Sequence, residues 1–279
     1  MTLPRALAAV GALGTLLAVA YSAVSGIQSE SNVPSPATNA IVVAELFTSE
    51  GCSSCPPADA LLSTLVQQRV AGVTVLGLSE HVDYWNRLGW RDPFSSATFT
   101  SRQSEYQTKV FRASTIYTPQ LVIDGHLEEI GSDAKAVERA IASAAQAPKA
   151  AVDIVDIAVA RTDRAGNLRI QIDVNVPPVV TPYEPADLMV AVTEDQLVSN
   201  VDRGENRGRR LMHSAVVRVL TPVGTLSPET RRWSTTTSAA LRPEWKSEHL
   251  KVIAFLQEHE TRRIVGAGFL NLAARPEVR

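Results

Sequence analysis

The chain has 279 residues, of which 45% are hydrophobic and 20% are charged, and its formal net charge is −2. This is the composition of an ordinary globular protein that can bury a sizeable core. The chain has no long basic stripe and no acidic block, so the sequence predicts neither a nucleic-acid partner nor a disordered acidic tail.

The first 26 residues have the pattern of a secretory signal peptide. Arg5 precedes an uncharged run rich in Ala, Leu, Val and Gly, with small residues suited to cleavage after Ala20 and Ser25. The alternative is a retained membrane anchor, because the uncharged stretch 6–27 is just long enough to span a bilayer. In both cases we expect the body of the protein to leave the cytoplasm and to be periplasmic or secreted. Residues 27–39, rich in Ser and Pro, are predicted to be a linker.

Apolar runs at residues 40–47 and 72–79 predict two buried strands, and the apolar face of residues 58–69 predicts a helix between them. Such a βαβ unit makes the two strands parallel neighbours. The only two cysteines of the chain, Cys52 and Cys55, fall in the turn that follows the first strand.

The remaining elements fall into two groups. A helix is predicted at residues 96–112, a hairpin at 115–131 with its turn at Asp124, and a helix at 132–146. From residue 148 onward, about seven runs alternate apolar and polar residues without a convincing helix. Residues 148–279 are therefore predicted to form an all-β sandwich domain of immunoglobulin-like or Greek-key type.

Two cysteines separated by two residues, after a strand and before a helix, are the sequence form of a thiol–disulfide exchange site. The N–H groups and partial positive charge of a helix N-terminus favour the thiolate, which is the nucleophile. We expect Cys52 to be exposed and to attack first, and Cys55 to resolve the mixed disulfide. Outside the cytoplasm, and without other cysteines, the two are either bonded to each other or cycling.

Other interpretations of the pair stay open. One is a structural disulfide, although so small a ring removes little chain entropy. A zinc site would lack its second cysteine pair, whereas a Cu(I) site would need His81 as a third ligand. Pro56 and Pro57 leave the start of the helix ambiguous, because proline is welcome at the first helical position and removes donors beyond it.

Four separated segments resemble one known family: residues 45–62, 81–96, 117–125 and 203–220. They are similar to the exported bacterial thioredoxin-like proteins catalogued as domain-of-unknown-function family 1223. The resemblance implies an α/β thioredoxin-like domain at residues 40–147, ahead of the sandwich, and supplies no substrate. The chain has no Trp before Cys52 and no Gly-Pro between the cysteines, so a thioredoxin redox potential does not carry over.

The resemblance to thioredoxins also implies roles for single residues. Pro119 would form a cis peptide bond facing the cysteines and, with Thr118, bind the backbone of a substrate. Glu45 resembles the buried acid that moves a proton to the deeper sulfur, a task that a raised pKa suits; the alternative is an ion-paired strand residue. Ser53 and Ser54, between the cysteines, are grouped with the substrate-binding residues.

Further side chains follow the second strand, at the edge of the sheet where the cysteine turn also lies. His81 is predicted to shuttle a proton or bind a metal, or else to cap a turn. Trp85 is predicted to line a substrate groove or to pack at the interface between the two domains. For Trp90 we favour internal packing. Residues 201–213 form a long, locally basic loop that either folds over the cysteines, recognises an acidic patch on a partner, or is merely solvated.

Together these patterns predict an exported protein that exchanges thiols and disulfides with protein thiols or with a redox partner protein. They predict no organic cofactor, no metal, and no membrane contact except through a retained anchor. The rival hypotheses are a non-catalytic binding protein with an inert disulfide and a periplasmic Cu(I) carrier.

Overall fold

The computed structural model describes residues 40–68, 70, 72–162, 165–180, 182 and 184–272. The predicted signal peptide or anchor, residues 1–26, and the predicted linker, residues 27–39, lie outside these residues. Within the described ranges, no helix combines the length and the apolar character needed to cross a bilayer.

The regular structure of the described residues consists of α-helices in the first half, strands throughout, and short 3-10 helices at Asn86–Leu88 and Ser247–His249. The helices are α1 (Pro56–Gln67), α2 (Ala97–Glu105) and α3 (Ala134–Ala144). The strands of the first half are β1 (Ile41–Thr48), β2 (Thr74–His81), β3 (Gln120–Ile123) and β4 (Leu127–Ile130). The strands of the second half are β5 (Ala150–Thr162), β6 (Ala165–Asn175), β7 (Ala186–Glu194), β8 (Leu197–Asn200), β9 (Arg210–His213), β10 (Val216–Leu226), β11 (Arg232–Leu241), β12 (Leu250–Glu258) and β13 (Ile264–Asn271).

Local structure in the first half follows the sequence pattern closely. Strands β1 and β2 are parallel, and α1 connects them. The β3–β4 hairpin turns at Asp124 and Gly125, both with positive φ. The helix predicted at residues 96–112 is α2 followed by a π-helical turn, Tyr106–Phe111.

Both faces of β1 are buried, and its side chains alternate between two cores. Ala44 and Leu46 pack with Leu62 of α1, on one face of the sheet. Phe47 packs with Tyr106 on the opposite face. Side chains of even-numbered residues in β1 therefore lie on the α1 side of the sheet, and those of odd-numbered residues lie on the opposite side.

The predicted fold class is wrong. Instead of a thioredoxin-like α/β domain and a separate β-sandwich, one mixed sheet of eleven strands runs through both halves, in the order β11-β6-β5-β13-β12-β7-β10-β2-β1-β3-β4. The halves join where Val216 of β10 pairs with Ser79 of β2, and Ser79 N donates to Ala215 O at 2.8 Å. The backbone groups on the free edge of β2 need hydrogen-bond partners, and β10 supplies some of them. The predicted domain boundary between residues 147 and 148 stays a prediction.

The buried apolar residues form three clusters that show how the halves are connected. One cluster lies within residues 42–145 and a second within residues 150–265. The third draws on both halves and packs Phe47 and Tyr106 with Ile253 and Phe255. The sheet is thus stabilised across the join by packing as well as by backbone hydrogen bonds.

Candidate functional site

Cys52 and Cys55 form a disulfide, with their Cα atoms 5.4 Å apart. Cys55 is the N-cap of α1, and Pro56 and Pro57 are its first two residues. Backbone hydrogen bonds hold the turn, because Cys52 N donates to Ser49 O and Cys55 N to Cys52 O, each at 3.2 Å. The predicted pairing of the two cysteines is confirmed.

The prediction that Cys52 is exposed is wrong. Both cysteines have 0% exposure, whereas Ser53 and Ser54 between them are exposed. The reason is a segment from the distant second half of the chain. We call residues 201–209, which connect β8 to β9, the cover loop.

The cover loop is tied to the cysteine turn by its own side chains. Asn206 is buried, and its Nδ2 donates to Glu50 O and to Cys52 O, both at 2.9 Å. Glu205 is exposed, and its Oε2 accepts a hydrogen bond from Ser53 N at 3.0 Å. Of the alternatives that the sequence left open for this loop, folding over the cysteines is the one observed.

The substrate-binding residues predicted from the resemblance lie around the disulfide. The Thr118–Pro119 peptide bond is cis, and Thr118 O lies 4.0 Å from Cys52 Sγ. Trp85 Nε1 donates to Thr118 Oγ1 at 2.9 Å, and Ser54 Oγ lies 3.4 Å from Cys52 Sγ. The structure therefore brings Trp85, Thr118, Pro119 and Ser54 together at Cys52.

The start of α1 offers few donors to a thiolate. Pro56 and Pro57 have no N–H group, and the next two N–H groups, of Ala58 and Asp59, donate to Cys55 O at 2.9 and 3.1 Å. The helix terminus therefore has few free N–H groups that could donate to the Cys52 sulfur. Among the described contacts, the side-chain donor nearest this sulfur is the Ser54 hydroxyl.

His81 lies buried behind the cysteine turn and pairs with a carboxylate. Its Nδ1 is 2.7 Å from Asp92 Oδ2, and Asp92 also accepts from the backbone N–H groups of Glu50 and Phe94 at 2.8 and 2.9 Å. Burial alone would lower the pKa of His81, but the Asp92 carboxylate, with smaller contributions from Asp59 and Glu50, outweighs burial and raises it. Burial alone would raise the pKa of Asp92, yet its hydrogen bonds and the charge of His81 lower it.

A second buried histidine, His213, lies against His81 with the ring centroids 4.9 Å apart. Its Nε2 is 3.1 Å from Glu50 Oε1, and its Nδ1 is 3.9 Å from Asp59 Oδ2. Burial raises the pKa of Asp59, although His213 and His81 oppose this shift. We call Glu50, Asp59, His81, Asp92 and His213 the buried ionisable cluster.

Glu45 does not join this cluster. It shares its strand parity with Phe47, so it lies on the face of the sheet away from α1, where the Arg102 guanidinium donates to its carboxylate at 2.6 Å and the Tyr106 hydroxyl also donates to it. Glu80 lies beside the pair, 3.4 Å from Arg102 Nε, and burial raises the pKa of Glu80 well above its usual range. This is the ion-paired strand residue that the sequence left as the alternative.

Sequence reasoning missed Glu50, Asp59, Asp92 and His213. Asp59 had a signal, because it lies four residues after Cys55 in the first turn of α1 and therefore near the same helix face. His213 had none, since it is 163 residues from its partner Glu50. Within the described part of the chain, no three or more His, Cys, Asp or Glu side chains are arranged to hold a metal ion.

Comparison with known proteins gives a family and similar structures. No curated protein matches the chain. A structural-genomics protein of Agrobacterium tumefaciens superposes with a TM-score of 0.59 at 25% identity, covering 85% of this chain and 96% of that one. The protein HBP35 of Porphyromonas gingivalis superposes with a TM-score of 0.58 at 15% identity, covering 85% of this chain and 76% of that one. The model of the family described as "Protein of unknown function (DUF1223)" matches residues 43–257, so the chain belongs to the DUF1223 family.

Proposed function

We propose that the protein is exported to the periplasm or secreted, and exchanges thiols and disulfides with protein substrates through Cys52 and Cys55. The position of the disulfide is the observation that supports the proposal. It lies at the start of a helix with Thr118 O beside Cys52 Sγ, and a hydrogen-bonded loop lies over it. A loop of this kind can open without unfolding the sheet.

The exchange is a balanced two-step reaction. A substrate thiolate attacks Cys52 Sγ, the bond between Cys52 and Cys55 breaks, and Cys55 leaves as a thiolate that takes up a proton. A second substrate thiolate attacks the substrate sulfur of the mixed disulfide and releases Cys52 as a thiolate. The substrate thiols lose two electrons and the cysteine pair gains them; the reverse sequence reduces a substrate disulfide.

We assign the proton exchange with Cys55 to Asp59 rather than to Glu45. Asp59 is buried in the same helix turn, and its raised pKa lets the carboxyl hold a proton and give it to a leaving thiolate. His213 Nδ1 lies 3.9 Å from Asp59 Oδ2 and the His213 ring packs against His81, so Asp59 belongs to the continuous buried ionisable cluster.

Trapping with single-cysteine variants tests the proposal. In Cys55→Ser, the remaining Cys52 thiol should attack a fluorescent peptide disulfide and form a mixed disulfide that dithiothreitol releases. The matched variant Cys52→Ser keeps the other thiol and should form no such adduct. Equal labelling of both variants, or of neither, would contradict the proposed order of attack.

The second candidate is a non-catalytic binding protein in which the disulfide holds the cysteine turn in the shape to which the cover loop is hydrogen-bonded. The complete burial of both cysteines and the Asn206 hydrogen bond to Cys52 favour it. It predicts that the double variant Cys52→Ala/Cys55→Ala loses stability while neither single-cysteine variant traps a peptide.

A further inference from the structure

The surface around the cover loop is rich in arginine. Among residues 85–91 and 201–212 there is no lysine, and the exposed basic side chains are Arg87, Arg91, Arg203, Arg207, Arg209 and Arg210. The exposed acids of the same segments are Asp202 and Glu205, and Glu205 is already engaged by Ser53 N. A chain with a net charge of −2 thus carries six exposed arginines and only two exposed acids in two segments, one of which contacts the cysteine turn.

The two segments form one continuous surface because they are in contact. Gly204 packs so tightly against the aromatic stretch that a Cβ atom there would lie 3.2 Å from Trp90 Cβ. Trp90 in turn donates from Nε1 to Glu50 Oε2 at 2.7 Å. The arginines of both segments therefore belong to one surface, which includes the cover loop.

An exposed apolar pair adjoins the arginines. Val198 of β8 and Met212 of β9 are cross-strand partners on the outer face of the hairpin, 42% and 67% exposed. Leu88 is 44% exposed at the other side of the surface. Arginine and methionine are both enriched in protein-binding surfaces, so the arginines beside the exposed Met212 are consistent with such a surface.

We propose that this arginine surface docks an acidic segment of a partner protein. The guanidinium groups would bind its Asp and Glu carboxylates through paired hydrogen bonds, and Met212 with Val198 would contact an apolar side chain beside them. Glu205 shows that a carboxylate fits next to the disulfide, since its own carboxylate accepts the Ser53 N–H group. The proposal rests on the proposed function, because docking here brings the partner's sulfur to the cover loop.

Binding of short labelled peptides to the oxidised protein tests the docking separately from redox chemistry. The probes are a Glu-rich peptide with a central Leu and Ser, and matched peptides with Gln or Lys in place of Glu. We expect the acidic peptide to bind at least about tenfold more tightly than the Gln peptide, and increasing salt to weaken its binding.

The variant Arg203→Gln/Arg207→Gln/Arg210→Gln should weaken binding of the acidic peptide by about tenfold or more. The control Lys135→Gln/Arg139→Gln/Arg232→Gln removes the same charge from exposed sites on α3 and β11, and should leave binding within about twofold. Equal losses in both variants would overturn the proposal, as would a single-stranded oligonucleotide of equal charge that binds as tightly as the peptide.

Because the probes carry Ser, their binding does not depend on a reactive disulfide. Binding to the arginine surface, without exchange when Ser is replaced by Cys, would uphold the docking surface and contradict the proposed redox function. Exchange with a Cys peptide that proceeds equally for acidic and basic sequences would support the proposed redox function and contradict the docking surface.

Discussion

Asn206 is the buried side chain that ties the cover loop to the backbone of the cysteine turn. Its amide donates to the carbonyl oxygens of Glu50 and Cys52, while its Oδ1 accepts from Arg209 Nη1 at 3.0 Å. A buried amide with these partners is costly to remove, because the carbonyl groups that it satisfies are left unpaired. Under the proposed function, we expect the Asn206 hydrogen bonds, together with the Glu205 hydrogen bond to Ser53 N, to limit how readily the cover loop opens.

Asn206→Ala should increase the rate at which dithiothreitol reduces the disulfide by about tenfold, because closure is weakened by about 1–2 kcal/mol. The rate is measured by quenching with a thiol-specific label. Asn200→Ala, an exposed site at the end of β8, is the control and should leave the rate unchanged. A reduction rate that stays at the wild-type value in Asn206→Ala would show that the cover loop does not limit access.

The His81–Asp92 pair predicts a definite pH dependence of stability. The raised pKa of His81 adds stability below the ordinary histidine pKa, and this is lost as pH rises through the raised value. The lowered pKa of Asp92 adds stability above the ordinary aspartate pKa, and this is lost as pH falls through the lowered value. The pair therefore stabilises the protein most in the mildly acidic range, between the ordinary pKa of aspartate and the ordinary pKa of histidine.

His81→Gln should lower the free energy of unfolding by about 1–3 kcal/mol near pH 5.5, with a smaller loss above the raised pKa of His81. Urea unfolding over a pH series measures this difference. A constant loss at every pH would mean that His81 acts through packing alone.

At the scale of elements, the position of α1 over β1 and β2 sets the position of the disulfide. Gly77 of β2 permits the close approach, because a Cβ atom there would lie 2.5 Å from Val66 Cγ1 and 3.2 Å from Leu62 Cδ1. Val66 is branched at Cβ and has little freedom to move aside.

Gly77→Ala should therefore destabilise the protein by about 1–3 kcal/mol through overpacking. Adding Val66→Ala should recover part of the loss, since the second change opens the space that the new methyl group needs. Urea unfolding of both single variants and the double variant measures the coupling. Strictly additive losses would contradict the contact.

The sequence predicts the elements of the first half because their signals are local. The β1–α1–β2 unit and the β3–β4 hairpin depend on apolar runs and on a turn at Asp124 and Gly125. The sequence does not predict on which face of the sheet Glu45 lies, because both faces of β1 are buried and no alternation of polar and apolar residues distinguishes the two faces. For residues 201–213 the sequence offered folding over the cysteines only as one of three alternatives, because the contact of Asn206 with Cys52 spans 154 residues and has no local signal.

For the whole molecule, the predicted sandwich is wrong, because the long strands of the second half lie in the same single sheet as those of the first half. Alternating residues predict the strands of the second half, but nothing local indicates that Val216 of β10 pairs with Ser79 of β2. Which strand edges meet is decided by long-range packing, here by the cluster that contains Phe47 and Phe255. Because one sheet and one buried cluster are shared by both halves, we expect the two halves to unfold together.

Tryptophan pairs report on each half separately. Trp85 and Trp90 lie in the first half, Trp233 and Trp245 in the second, and the chain has four tryptophans. Trp85→Phe/Trp90→Phe and Trp233→Phe/Trp245→Phe should each give one urea transition by fluorescence, coincident with the transition seen by circular dichroism. Midpoints that differ between fluorescence and circular dichroism within one variant would show that the halves unfold independently.

The proposed function requires that the disulfide between Cys52 and Cys55 can be reduced and re-formed while the protein stays folded. Equilibration with glutathione and dithiothreitol redox buffers, followed by thiol labelling, measures its reduction potential directly. We predict a value above roughly −300 mV, the limit below which structural disulfides usually lie, with the circular dichroism spectrum unchanged on reduction. A potential below that limit, or reduction only together with unfolding, would show that the disulfide is a structural bond.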